Sequence, residues 1–187
     1  MEQPQPQPPQ PPQPQPRFPL FIDLHRRAVA IVGGGNVAAR RVGVLLGFGA
    51  RIRVISPEIC PKLQELCDNE RVEPVERGGP IEWIPRKWRA GDLDGAALAV
   101  AATDDREVNH AVWVEAASLS IPVSVADRQE ECSFFFPAIA CHGSVVAGIS
   151  SAGLSPAQTA ELARRLREVW PEWVADTQRQ REGRRQR

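Results

Sequence analysis

The chain has 187 residues, 42% of them hydrophobic, with 23 basic and 23 acidic side chains and a formal net charge of zero. That is enough chain for one domain of ordinary size and a smaller appendage. Balanced charge gives no global attraction to nucleic acid, no run of about 18 apolar residues is present to cross a membrane, and the N-terminus lacks the basic and apolar regions of a secretory signal.

Residues 1–17 are almost entirely Pro and Gln. Such a segment favours extended polyproline-type backbone and has nothing to bury, which predicts a disordered extension. The composition becomes globular at Phe18. Ala28-Val29-Ala30-Ile31-Val32 then runs straight into Gly33-Gly34-Gly35 and an amphipathic pattern. A buried parallel strand that turns into a helix over a dinucleotide pyrophosphate has this form. Gly33, Gly35 and Ala38 fill the positions of G-x-G-x-x-G/A. The first glycine permits the tight turn, and the second lets the backbone approach the phosphates. The third small residue lets the helix pack closely on the strand. Ala38, Val42, Leu45 and Leu46 mark one helical face, and Gly47 and Gly49 supply stop signals. Residues 51–55 read as the next strand, so the βαβ unit has the length the motif requires.

Further strands are predicted at 72–76, 97–102 and 121–126, and helices at 36–47, 58–68 and 105–118. Residues 81–95 carry Trp and Pro and are expected to cross the sheet edge through a short helical turn. Strands alternating with helices predict a Rossmann-type α/β fold, a doubly wound parallel sheet covered on both faces. After Asp127 the pattern changes. Residues 133–140 and 144–150 read as two strands around Cys141-His142-Gly143, and Pro156 opens a helix to about Trp170. This small α+β region has too little chain for its own core, so its apolar face should meet the first domain or a second subunit. The predicted organisation is a dinucleotide-binding domain over 18–132, a dimerisation region over 133–170 and an Arg- and Gln-rich tail over 171–187. Cys60, Cys67, Cys132 and Cys141 have no C-x-x-C spacing, which predicts reduced thiols in a cytoplasmic protein and no metal site. The three histidines do not suggest one either.

Ligands of open α/β sheets sit beyond the carboxyl ends of the strands. Residues at such ends are Gly33, Gly35, Asn36 and Val37, then Ser56, Pro57 and Glu58, then Ala102 and Thr103, and finally Asp127. The first three groups are candidate cofactor contacts. Asp104 and Asp105 have the chemistry of helix N-caps. Asp127 could cap a turn, or could take a proton from a substrate beside a nicotinamide.

Several separated stretches resemble one family in the right order. They are Phe18-Pro19-Leu20-Phe21-Ile22-Asp23-Leu24, the glycine turn, Ala101-Ala102-Thr103-Asp104-Asp105 with Val108-Asn109, and Val123-Ser124-Val125-Ala126-Asp127 with Cys132-Ser133-Phe134. Phe136-Pro137-Ala138-Ile139 and Ser150-Ser151-Ala152-Gly153-Leu154-Ser155-Pro156 continue the series. Together they resemble the precorrin-2 dehydrogenases, the N-terminal modules of siroheme synthases, some of which are also sirohydrochlorin ferrochelatases. The resemblance implies NAD-dependent oxidation of precorrin-2 to sirohydrochlorin by a homodimer with interlocked small domains. It also implies that Asp127 stands at the family's catalytic aspartate. Ser56 occupies the place where NAD-binding folds usually carry Asp or Glu, so NAD is favoured by the resemblance and NADP stays open. The stretch Ala163-Arg164-Arg165-Leu166-Arg167-Glu168 matches a family helix motif displaced by about one turn, which keeps the same face. Little chain follows Pro171, so iron insertion is not expected. The competing readings are a bifunctional dehydrogenase and ferrochelatase, and a non-catalytic dinucleotide sensor.

Overall fold

The computed structural model describes residues 17–72, 80–151 and 155–185. The Pro/Gln segment up to residue 16, most of the predicted strand 72–76, and residues 152–154 lie outside the described residues. Chain contacts divide the molecule into two units, a larger one over Phe21–Phe135 and a smaller one that holds the chain from Phe136.

The larger unit is built on five strands: β1 (Ala28–Val32), β2 (Arg51–Ile55), β3 (Ile81–Ile84), β4 (Leu98–Ala101) and β5 (Val123–Val125). Their order is β3-β2-β1-β4-β5, and every neighbouring pair is parallel. This is the Rossmann-type doubly wound sheet expected from the sequence. The interior strand β4 is buried along its whole length, as is the central strand β1 from Val29 onward. Sheet faces covered on both sides favour such continuous apolar runs. Toward the edge, β2 exposes Arg51 and half-buries Arg53.

Helices α1 (Asn36–Leu46), α2 (Pro61–Val72) and α3 (Arg106–Ser118) connect the strands. The predicted stripe Ala38, Val42, Leu45 and Leu46 is buried, together with Ala39. Val112 and Ala116 of α3 join one core cluster with Ala99, Ala101, Val123 and Val125.

The third strand differs from the sequence expectation. It is Ile81–Ile84, flanked by Pro80 and Pro85, and Val72 closes α2. The stretch after β3 is a run of turns rather than a turn of helix. It is held by Asp92, which accepts two hydrogen bonds from the Arg86 guanidinium at 2.7 Å and one from the Arg89 amide at 2.8 Å. Glu115 Oε1 accepts from the amides of Gly91 (3.0 Å) and Leu93 (3.2 Å), seating the fully buried Leu93.

The smaller unit contains β6 (Ala138–His142) and β7 (Val145–Ile149), an antiparallel hairpin, and α4 (Pro156–Arg185). Gly143, with φ +57, takes the left-handed turn position. The first strand therefore starts at Ala138 rather than Ser133, and Cys141 and His142 belong to it. Ala140 and Ala163 are buried where α4 packs on β6, and Arg167 donates to the Ile139 carbonyl at 2.6 Å. The helix continues well past Trp170 with Pro171 inside it. Glu161 accepts from Arg164 (2.8 Å) and Arg165 (2.7 Å) on this exposed surface. These guanidiniums hold its carboxyl at about 2.

Candidate functional site

The site lies at the carboxyl ends of β1, β2, β4 and β5, where strand order reverses between β1 and β4. That crevice is where open α/β sheets take ligands. Gly33 has φ +121, and a Cβ there would stand 2.3 Å from the Ala102 carbonyl oxygen. The turn after β1 and the exit of β4 are thus in backbone contact, which only glycine permits. A Cβ on Gly34 would stand 2.0 Å from the Glu58 carbonyl oxygen and 2.8 Å from Ser56 Oγ. The Cys60 amide donates to the Gly34 carbonyl at 2.8 Å, so the loop after β2 is fastened to the glycine turn. Gly34 was not singled out from the sequence, because the fingerprint leaves that position free. The only signal was a third glycine in a row.

Gly35 differs from both. No heavy atom lies within 4 Å of where its Cβ would be. It is the N-cap of α1, has no capping side chain, and no acidic residue stands in the first turn. The first amides of a helix have no intrahelical acceptor and carry the positive end of its dipole. Open space beside uncapped amides fits a pyrophosphate, so the residues present suit a dinucleotide. Asn36 is exposed and Val37 half-buried beside this opening.

Ser56 is buried. Its hydroxyl donates to the Glu58 carbonyl at 2.6 Å, and its carbonyl accepts from Trp83 Nε1 at 2.9 Å. With its proton committed, the hydroxyl has only acceptor capacity left for a ribose. Pro57 and Glu58 are exposed.

At the other side of the crevice, Asp105 is the N-cap of α3, accepting from the amides of Glu107 (2.9 Å) and Val108 (3.2 Å). Asp104 is exposed and is not the cap. The cap aims the first turn of α3 across the exits of β4 and β5. Asn109, fully buried, uses its whole amide there. Its Oδ1 accepts from the Thr103 amide (3.1 Å) and hydroxyl (2.8 Å). Its Nδ2 donates to the Thr103 carbonyl (3.1 Å) and to Asp127 Oδ1 (3.0 Å). Thr103 therefore has its amide, carbonyl and hydroxyl engaged within the protein.

Arg106 donates from Nη1 to both Asp127 oxygens, at 3.0 and 3.1 Å, and from Nη2 to Glu131. Glu131 also pairs with His110 Nδ1 at 3.0 Å. The Asp127 side chain is 38% exposed. Burial alone would raise its carboxyl, but Arg106 and Asn109 hold it below the usual carboxylate range. Asp127 is therefore ionised at neutral pH, oriented by two donors, and open to solvent. Arg106 and Glu131 were not legible as site residues in sequence, since they meet Asp127 only through the fold. Among the described residues, no group of three or more His, Cys, Asp or Glu could hold a metal ion, and no helix is long and apolar enough to cross a membrane.

A family model described as "Putative NAD(P)-binding" matches residues 20–138. The chain belongs to this NAD(P)-binding family. It is 43% identical over 150 residues to a siroheme synthase of Photorhabdus laumondii, covering 80% of this chain and 29% of that protein. It is 40% identical over 150 residues to siroheme synthase 1 of Serratia proteamaculans, with 80% and 29% covered. The chain thus spans under a third of the length of these curated relatives. Among solved structures it resembles SirC, a precorrin-2 dehydrogenase, with TM-score 0.61 and 27% identity, covering 80% of this chain and 69% of that one. The resemblance read from the sequence is borne out by these matches.

Proposed function

We propose that this chain dehydrogenates precorrin-2 to sirohydrochlorin with NAD. The observation that carries the reading is an ionised, held carboxylate, Asp127, on the same sheet edge as an open, uncapped glycine turn. The likeness to a precorrin-2 dehydrogenase and to siroheme synthases supports the substrate class.

Gly35, Asn36 and Val37 bind the pyrophosphate through backbone amides, and Gly33, whose own amide donates to the Ile55 carbonyl at 3.0 Å, makes the turn that presents them. Ser56, Pro57 and Glu58 line the adenosine side, with Ser56 Oγ accepting from a ribose hydroxyl. Ala102 and Thr103 border the nicotinamide side and contribute surface rather than hydrogen bonds. Bound there, NAD supplies the hydride acceptor. The substrate loses a hydride and a proton, giving sirohydrochlorin, NADH and one proton. Asp127 takes that proton and releases it to solvent. A carboxylate held low is a weak base, but loss of hydride leaves the substrate cationic and its proton acidic, so a weak base is sufficient.

The same proposal includes a homodimer and a cytoplasmic setting. In the smaller unit, Val145, Leu162, Val169 and Trp173 are exposed, Trp173 by 60%. Apolar surface of this kind favours a second copy as its cover. The cysteine spacing suits a reducing compartment.

The test is incubation of purified protein with precorrin-2 and NAD, followed by absorbance. Equal yields of sirohydrochlorin and NADH are expected, with NADP slower. A chain that binds NAD but leaves precorrin-2 unchanged would favour the sensor reading.

A further inference from the structure

We propose that Arg106 is the positioning residue of this site, holding Asp127 in its reactive orientation, and that Glu131 in turn fixes Arg106. The inference rests on the reading of Asp127 given above. Three facts carry it. One guanidinium spans two carboxylates, with Nη1 on both oxygens of Asp127 and Nη2 on Glu131. The two carboxylates come from different stretches of chain, the exit of β5 and the 3-10 turn Gln129–Glu131. Arg106 itself sits in the first turn of α3, next to the Asp105 cap and one turn before the buried Asn109.

Asn109 donates to Oδ1 alone, and so does not by itself fix the plane of the carboxylate. Arg106 reaches both oxygens from one nitrogen and so fixes the plane of the carboxylate. Glu131 takes the second nitrogen and prevents the guanidinium from turning toward solvent. Arginine suits this use because its donors lie in one rigid plane, whereas lysine offers a rotating point charge. Of the other charged groups on these segments, Asp105 caps α3, His110 pairs with Glu131, and Asp104, Glu107, Arg128 and Glu130 are exposed.

The experiment measures kcat, KM for precorrin-2 and the pH profile in Arg106→Gln, Arg106→Lys and Glu131→Gln, with NAD affinity and thermal melting as controls. Arg106→Gln should lower kcat by roughly tenfold, the scale of one charge-assisted hydrogen bond, with KM and NAD affinity unchanged. Without the cation, Asp127 protonates at higher pH, so the acid limb of kcat/KM should move up. Arg106→Lys should keep the acid limb in place yet leave kcat low, because it restores charge without the fork. Glu131→Gln should lower kcat in the same way, and combining it with Arg106→Gln should add nothing further.

In an Asp127→Asn background, Arg106→Gln should have no additional effect on kcat. A further loss there would show that Arg106 acts elsewhere and would overturn the proposal. So would a rise in KM with kcat unchanged, which would make Arg106 a substrate anchor. If Asp127→Asn itself turns over normally, the reading of Asp127 fails instead, and the two failures are distinguishable.

Discussion

Gly33, Gly34 and Gly35 are adjacent in sequence but meet different physical demands. At Gly33 a side chain is excluded by positive φ and by the Ala102 carbonyl, and at Gly34 by the Glu58 carbonyl. At Gly35 the protein leaves room, so under the proposed function it is the bound pyrophosphate that excludes a side chain there. Gly33→Ala and Gly34→Ala should each destabilise the fold by roughly 1–3 kcal/mol, read as a lower melting temperature. Gly35→Val should melt like the parent and lose NAD affinity in calorimetry. A melting loss at Gly35, or retained NAD affinity there, would remove the pyrophosphate from this turn. The same three residues mark how far the sequence was legible. Gly33 and Gly35 were visible through the fingerprint, while the need for Gly34 depends on a loop more than twenty residues away. Arg106 and Glu131 lie 21 and 4 residues from Asp127. No local pattern states that one guanidinium will join them, because that meeting is made by sheet order.

Among the strands of the sheet, β1, β2, β4 and the buried edge strand β5 were readable, and the half-buried edge strand β3 was not. The strands β1, β2 and β4 fall where the pattern placed them. The edge strand β3 is four residues between two prolines, half-buried, and its Ile-Glu-Trp-Ile alternation is too short to outweigh those prolines as turn signals. Likewise the helix expected to end at about Trp170 continues through Pro171 as α4. A proline removes one helical hydrogen bond, and the residues beyond it are rich in good helix formers such as Glu, Arg and Gln. The loop after β3 depends instead on Asp92, whose side chain is only 11% exposed. The Arg86 guanidinium holds its carboxyl below the usual range. A depressed folded value means that the stabilisation is fully present above the ordinary carboxylate pKa of about 3.9. It is lost as pH falls through the folded value. Asp92→Asn should therefore melt several degrees below the parent at neutral pH, and the gap should close in strong acid. A gap independent of pH would mean that the charge of Asp92 contributes nothing.

For the whole molecule, the proposed dimer covers surface that the smaller unit leaves open. Leu162 is 48% exposed and Trp173 is 60% exposed on α4. Light scattering at micromolar concentration should give about twice the monomer mass, as expected for a symmetric pair. Leu162→Glu with Trp173→Arg should shift the mass to that of a monomer. A parent chain that is monomeric and fully active would remove the dimer from the account. In the proposed dehydrogenation Asp127 accepts the proton beside a cofactor held on the glycine turn. The most direct test compares the parent chain with Asp127→Asn, measuring NAD affinity by calorimetry and precorrin-2 turnover by absorbance. NAD affinity should be unchanged, and turnover should fall by roughly 10²–10⁴-fold, the range for a positioned acid–base group. Turnover near that of the parent, with asparagine at 127, would contradict that role for Asp127.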